Sequence, residues 1–135
     1  MSDTFQIYGF NFQVKLLACL FTDKPFLQQI TDILDSDFFE SEANKWLVKS
    51  IIEYFNEYKT SPTLDVMKVK IDTIDNTILK ASVVDTLKEV VRNFEGDDID
   101  FVKNETIKFC KNQTLKSAIV DSVELLQRGD YDAIK

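Results

Sequence analysis

The chain has 135 residues, 44% of them hydrophobic and 29% charged, with only three Gly and two Pro, a composition typical of a compact, mostly helical domain with a true core. Its net charge of −7 and pI of about 4.6 give a surface that repels phosphate, so we expect the chain to bind nucleic acid poorly. Because it contains no histidine, the usual neutral-pH general base and the commonest transition-metal ligand are both missing, which favours an interaction module over an enzyme.

The start of the chain predicts a lead-in followed by two helices. Residues 1–9 are interpreted as a loose lead-in. Asn11 is a candidate N-cap for a first helix over 12–21, and Pro25 suits the first position of a second helix over 25–34. Both helices carry apolar residues at the three- and four-residue spacing of a core-facing side.

The stretch FFESEANKWLVKSIIEYFNEYKTSP predicts the central helix of a bundle. Between residues 43 and 58 its apolar side chains cover well over half of the helix circumference, which is more than one neighbouring helix can cover. Ser41 is a candidate N-cap. The turn before Pro62 is expected to end the helix, because the residue preceding a proline avoids the helical region.

Two shorter helices are predicted next. Thr63 is a candidate cap for a helix that extends through Ile71. The β-branched residues of this stretch also fit a strand, but the three- to four-residue spacing and the charged neighbours favour a helix. A fifth helix is predicted over about 76–94, with Gly96 as its expected C-terminal cap.

A long helix is predicted for the last third of the chain. Acidic residues at 97–100 lie at its start, where the helix dipole favours negative charge, and it extends to about Arg128. Gly129 and Asp130 end it, and Asp130 could cap another helix of which only residues 131–135 are present.

The predicted fold class is therefore all-α. A compact helical head covers residues 1–95, and residues 96–135 form a long helix and the start of a helical hairpin. Because a new element begins just where the chain stops, we interpret the chain as part of a longer protein.

The long helix changes its apolar face half-way. The apolar residues of its first half cluster on one side of an ideal wheel: Ile99, Val102, Ile107, Phe109 and Cys110. Those of its second half cluster on roughly the opposite side: Leu115, Ala118, Ile119, Val123 and Leu126, with Val120 and Leu125 flanking them. This switch predicts that the first half packs on the head and that the second half binds a partner. In the alternative, the fourth and fifth helices reach round the long helix and cover both sides.

No residue pattern for catalysis, cofactor binding or metal binding is present. The glycines are isolated, no G-K-[ST] triplet occurs, and the acidic pairs suit turns and helix starts better than a cation site. Cys19 and Cys110 are single cysteines in amphipathic segments and are expected to be buried thiols, which indicates a cytosolic protein. No apolar run approaches the roughly 20 residues of a membrane span.

The order of the segments is informative. VKLLACLFTDKPFLQQI leads through DSDFFES to the helix ANKWLVKSI, and a polar turn with proline, a short LDVMK helix, a fifth helix and a long helix follow. From about residue 12 to residue 129 this arrangement resembles the N-terminal domain of the DnaB family of hexameric replicative helicases, most closely the T-even phage type. Its strongest parts are 37–41, 43–49 and 56–63. Asn44-Lys45 stands where the bacterial pattern often has a His-Arg pair, which indicates a phage-like branch.

The resemblance implies a function in DNA replication. The chain would form part of the collar of a primosome helicase, where it would self-associate as a dimer or as a trimer of dimers and would dock primase and possibly a helicase loader. The family's motor domain, which uses ATP and magnesium, is absent from these residues, so no nucleotide hydrolysis is expected here. The compartment would be the cytoplasm of a phage-infected bacterium.

Two other functions remain open. The helicase-binding domain of a primase resembles the same fold and also ends in a helical hairpin. A free-standing phage regulator that binds a host factor is the other alternative.

Overall fold

The computed structural model describes residues 3–129. Within this range the chain is all-α, as predicted, with no strand and with two short 3-10 helices, at Phe5–Tyr8 and Ser36–Phe38. The α-helices are α1 (Phe10–Thr22), α2 (Lys24–Ile30), α3 (Glu42–Tyr58), α4 (Leu64–Asp72), α5 (Thr77–Arg92) and α6 (Ile99–Gln127). The predicted start of a second hairpin helix, at residues 130–135, lies outside the described residues.

The centre of the bundle is α1. Eight of its 13 residues are buried, and it packs against α2, α3, α5, α6 and the first 3-10 helix. The helix predicted to be central, α3, has several neighbours as expected, namely α1, α5 and the second 3-10 helix, and its polar sector with Glu53 and Glu57 is exposed. A smaller share of its residues is buried than in α1, so α1 and not α3 lies at the centre. The buried Gln13 of α1 is compatible with this central place because its side chain donates to the carbonyls of Phe5 (3.4 Å) and Gly9 (3.1 Å).

A buried amide pair connects α1 to α3. Asn44 Nδ2 donates to Gln13 Oε1 at 3.0 Å, and both side chains are almost fully buried. A hydrogen bond between two buried side chains fixes the register of the helices that carry them. Asn44 therefore has a structural role in this chain.

The N-terminal segment is part of the core, so its interpretation as a loose lead-in is wrong. Phe5 is fully buried, and its ring centroid lies 4.3 Å from that of Phe109 and 4.9 Å from that of Phe39. Thr4 caps the 3-10 helix by accepting from the Gln6 N–H. An aromatic cluster thus connects the start of the chain, the second 3-10 helix and α6.

Most predicted N-caps are confirmed. Ser41 and Thr63 each accept a backbone N–H of the following helix, at 3.3 and 3.2 Å. Asn76, predicted only as the start of the fifth helix, also caps it and accepts the Ile78 N–H at 3.0 Å. Asn11 is not a cap, because α1 begins at Phe10 and Gly9 occupies the cap position with φ +88°, in the left-handed half of backbone space that favours glycine. The short fourth element is a helix and not a strand.

Three helix ends differ from the prediction. The second helix stops at Ile30 rather than at 34, because the N–H groups of residues 33 and 34 both bond to the Ile30 carbonyl and tighten the chain into a turn. The third helix ends at Tyr58 because Lys59 adopts a left-handed conformation (φ 60°), and not because of the predicted turn at residues 60–62. The fifth helix ends at Arg92, where Asn93 caps it, and Gly96 has no capping role.

Candidate protein-interaction surfaces

The long helix α6 divides into a packed half and a free half. Val102, Thr106, Phe109 and Cys110 are buried against the head. No residue from 111 to 129 is buried. We call residues 111–127 the arm; at 1.5 Å per residue it extends about 26 Å beyond Cys110. Because the arm is uncovered, the alternative that α4 and α5 cover both faces of α6 is wrong.

The five predicted partner-binding residues lie on one exposed side of the arm, which we call the arm face. Leu115, Ile119, Val123 and Leu126 are 60%, 55%, 47% and 51% exposed, and Ala118 is also exposed. At about 100° per residue this side lies roughly opposite the line of buried residues in the first half of the helix. The structure therefore brings all five residues together. Leu115 and Ile119, the two at the start of the arm, also line a cleft with Ile7 and Tyr8 of the head. Of the flanking residues, Val120 is 54% exposed and Leu125 is half-buried.

Ion pairs fasten the first half of α6 and the start of the arm to the head. Lys103 Nζ lies 2.7 Å from Asp23 Oδ2, at the N-terminus of α2. Lys116 Nζ, in the arm, lies 2.8 Å from Asp3 Oδ2, and this hydrogen bond lowers the pKa of the Asp3 carboxyl below its usual value. Ion pairs this accessible to solvent orient side chains more than they stabilise a fold. The ion pairs of Lys103 and Lys116 show how far the contacts between the head and α6 extend: they reach the first turns of the arm.

A second surface, a groove between α4 and α5, was not singled out by the sequence. Its volume is about 650 Å³, and its floor is apolar: Leu64, Ile71, Val84, Leu87 and Val91. Four cationic side chains line it as well: Lys68, Lys80, Lys88 and Arg92. The sequence did indicate that α5 has an uncovered apolar surface, because this helix has more apolar positions than one buried stripe needs. Only Val83 and Val90 of its 16 residues are buried.

The two cysteines and the acidic residues before α6 have structural roles rather than chemical ones within the described residues. Burial raises the pKa of the Cys19 thiol to about 11 and that of the Cys110 thiol to about 12, so both are protonated and unreactive near neutral pH. In the acidic cluster before α6, Asp98 pairs with Lys15 at 2.7 Å. Within residues 3–129 no three His, Cys, Asp or Glu side chains are grouped so that they could hold a metal ion.

Two further observations bear on function. Among the helices of the described range, none has both the length and the apolar character needed to cross a bilayer. No protein-family model, curated protein or solved structure matches the chain. The two exposed surfaces, the arm face and the α4–α5 groove, are therefore the features of the molecule that indicate a function.

Proposed function

We propose that this chain is a self-associating interaction module, in which the arm face of one copy packs against the arm of another. The observation that carries the proposal is the arm itself: 17 consecutive helical residues with none buried and with the apolar side chains aligned on one side. Single exposed apolar residues are common on protein surfaces. A row of them on an otherwise unpartnered helix marks an interface.

The spacing along the arm suits helix pairing. Leu115, Ile119, Val123 and Leu126 follow one another at intervals of four, four and three residues, the pattern of a coiled-coil seam. Each side chain is about half exposed, so covering it would stabilise the complex by about 1 kcal/mol. With these four residues in each of two copies, the gross gain is about 8 kcal/mol, which the cost of association largely offsets. We therefore expect weak pairing, which a larger assembly of several copies would strengthen.

The finer form of the proposal is the collar of a DnaB-type replicative helicase. The resemblance of residues 12–129 to that domain supports it, and so does the arm, since a hairpin helix that contacts neighbouring subunits needs an exposed apolar side. In that role the module would work in the cytoplasm as a dimer or a trimer of dimers. It would dock primase or a loader, and ATP hydrolysis would belong to a motor domain outside these residues. The net charge of −7 fits a part that contacts protein rather than DNA.

The test is the mass of the chain in solution. Sedimentation velocity and light scattering over a range of concentrations should show a reversible monomer–oligomer equilibrium for the parent chain. Val123→Asp should abolish it, because a carboxylate buried in an apolar seam is costly. The lost apolar contact and the buried charge together should weaken association at least about 100-fold, or about 3 kcal/mol.

The matched control is Ser117→Asp, which adds the same charge on the opposite side of the arm. It should associate like the parent, and circular dichroism should be identical for all three proteins. A parent that stays monomeric at every concentration, or a Val123→Asp variant of unchanged oligomer mass, would reject the proposed interface.

A further inference from the structure

The groove between α4 and α5 has an unusual charge for this protein. The chain has 16 Lys and Arg against 23 Asp and Glu, yet four cationic residues and only one acidic residue, Asp72, line the groove. Lys80 pairs with Asp72 at 3.5 Å, and Arg92 pairs with Glu89. A basic patch on an acidic surface marks a place where a partner of opposite charge is preferred.

Two of these cations have no carboxylate partner among the residues that the structure describes. Across residues 3–129, neither Lys68 nor Lys88 has a carboxylate within 4 Å of its amine. Both side chains are exposed, one on each helix that forms the groove. An occupant could therefore pair with both amines without breaking an existing ion pair.

The floor of the groove is shaped for apolar side chains. Leu64 and Val91 are 36% and 37% exposed at its edges, and Val84 and Leu87 are half-buried between them. An apolar groove between two helices is the typical receptor of an amphipathic helix, which inserts the apolar side chains of one face. The cationic residues beside this floor would then favour a bound helix whose remaining face is acidic.

We propose that the α4–α5 groove binds an amphipathic, acidic helix of a partner protein. From Lys80 to Arg92 the groove side of α5 is about 18 Å long, which matches a helix of about 12 residues. Apolar residues at three- and four-residue spacing would fill the floor, and Asp or Glu on both flanks would face Lys68 and Lys88.

A second copy of this chain is a less suitable occupant. Residues 115–127 of the arm hold one Lys, one Asp and one Glu, so the arm is nearly neutral and gains little from the cationic rim. The arm and the groove also share no residue. The groove proposal therefore does not depend on self-association, and either proposal can fail alone.

The test uses the full chain and three synthetic helical peptides of about 12 residues, the length estimated above. The first carries Leu on one face and Glu elsewhere; the second carries Lys in place of Glu; the third has the composition of the first in a scrambled order that destroys the apolar face. Binding of each fluorescein-labelled peptide is measured by fluorescence anisotropy, and hydrogen exchange of the complex locates the site. The acidic amphipathic peptide should bind at least tenfold more tightly than either control peptide and should protect α4 and α5, and added salt should weaken its binding.

Charge reversal then tests the two unpaired amines. Lys68→Glu/Lys88→Glu should weaken binding of the acidic peptide about tenfold or more. The control is Lys24→Glu/Lys49→Glu, which makes the same change of net charge at exposed positions outside the groove. It should bind within about twofold of the parent, because only the long-range field of the protein changes.

Four results would overturn the proposal. These are equal binding of the acidic and basic peptides, no protection of α4 and α5, equal affinity of the groove variant and its control, or loss of self-association in the groove variant. The last result would assign the groove to a second copy of the chain. Since all of the substituted lysines are exposed, circular dichroism should be unchanged, and a difference in affinity can be attributed to the groove.

Discussion

Replacing Phe5 with alanine is expected to destabilise the whole domain, although the residue lies near the start of the chain. Its ring is fully buried and lies against those of Phe39 and Phe109. Removing a buried Phe side chain from a close-packed core costs about 3–5 kcal/mol, the lost burial plus the cavity that remains. Because a domain of this size is stable by about 5–15 kcal/mol, the loss would be a large part of the total.

Urea unfolding measures this effect, followed by far-UV circular dichroism and by the fluorescence of Trp46, the single tryptophan, which is partly buried in α3. For a denaturant dependence of about 1–3 kcal/mol per molar urea, the midpoint should fall by about 2 M. The matched control is Phe101→Ala, since Phe101 is 60% exposed, and it should change stability by no more than about 0.5 kcal/mol. If Phe5→Ala cost less than about 1 kcal/mol, or no more than Phe101→Ala, the N-terminal segment would not be part of the core.

Two further predictions concern single groups. Burial raises the pKa of the Cys19 thiol to about 11 and that of the Cys110 thiol to about 12. Neither thiol should react with an aromatic disulfide reagent at pH 8 in the folded chain, and both should react in urea. Rapid reaction without urea would contradict their burial. The hydrogen bond from Lys103 lowers the pKa of Asp23 below its ordinary value of 3.8. The ion pair therefore stabilises the fold above about pH 4, and this stabilisation is lost as the pH falls through the lowered pKa. Asp23→Asn, which keeps an N-cap side chain, should therefore be less stable than the parent at pH 7 by up to about 1 kcal/mol and equally stable at pH 2; a difference that persists at pH 2 would reject the ionic explanation.

The sequence predicted what local chemistry and periodicity determine. Ser41 and Thr63 were predictable as caps because each has a short polar side chain directly before a helical pattern. The change of face along α6 was predictable because 29 residues hold enough turns for two separate apolar stripes to be distinguished. Both features depend only on residues close together in the chain.

Features that depend on distant residues were not predictable in this way. Phe5 stands in a short segment with no helical period, and its burial depends on rings more than 30 residues away. The central place of α1 was obscured by Gln13, a polar residue whose partners become apparent only in the folded chain. The α4–α5 groove was hidden for a related reason: Val84 and Val91 fit the apolar stripe of α5, and only the position of α4 reveals that they are left uncovered.

The two surfaces have different physical characters, and this difference implies separate uses. The arm face is nearly neutral, so pairing between arms would depend on apolar burial and would change little with salt. The groove combines an apolar floor with unpaired lysines, so its occupant would be selected by charge and released as salt rises. Because no residue belongs to both, several copies joined through their arms would present several grooves at once. A partner carrying more than one acidic helix would then bind the assembly more tightly than it binds one chain. Self-association would in this way control the affinity for the second partner without any change in the groove.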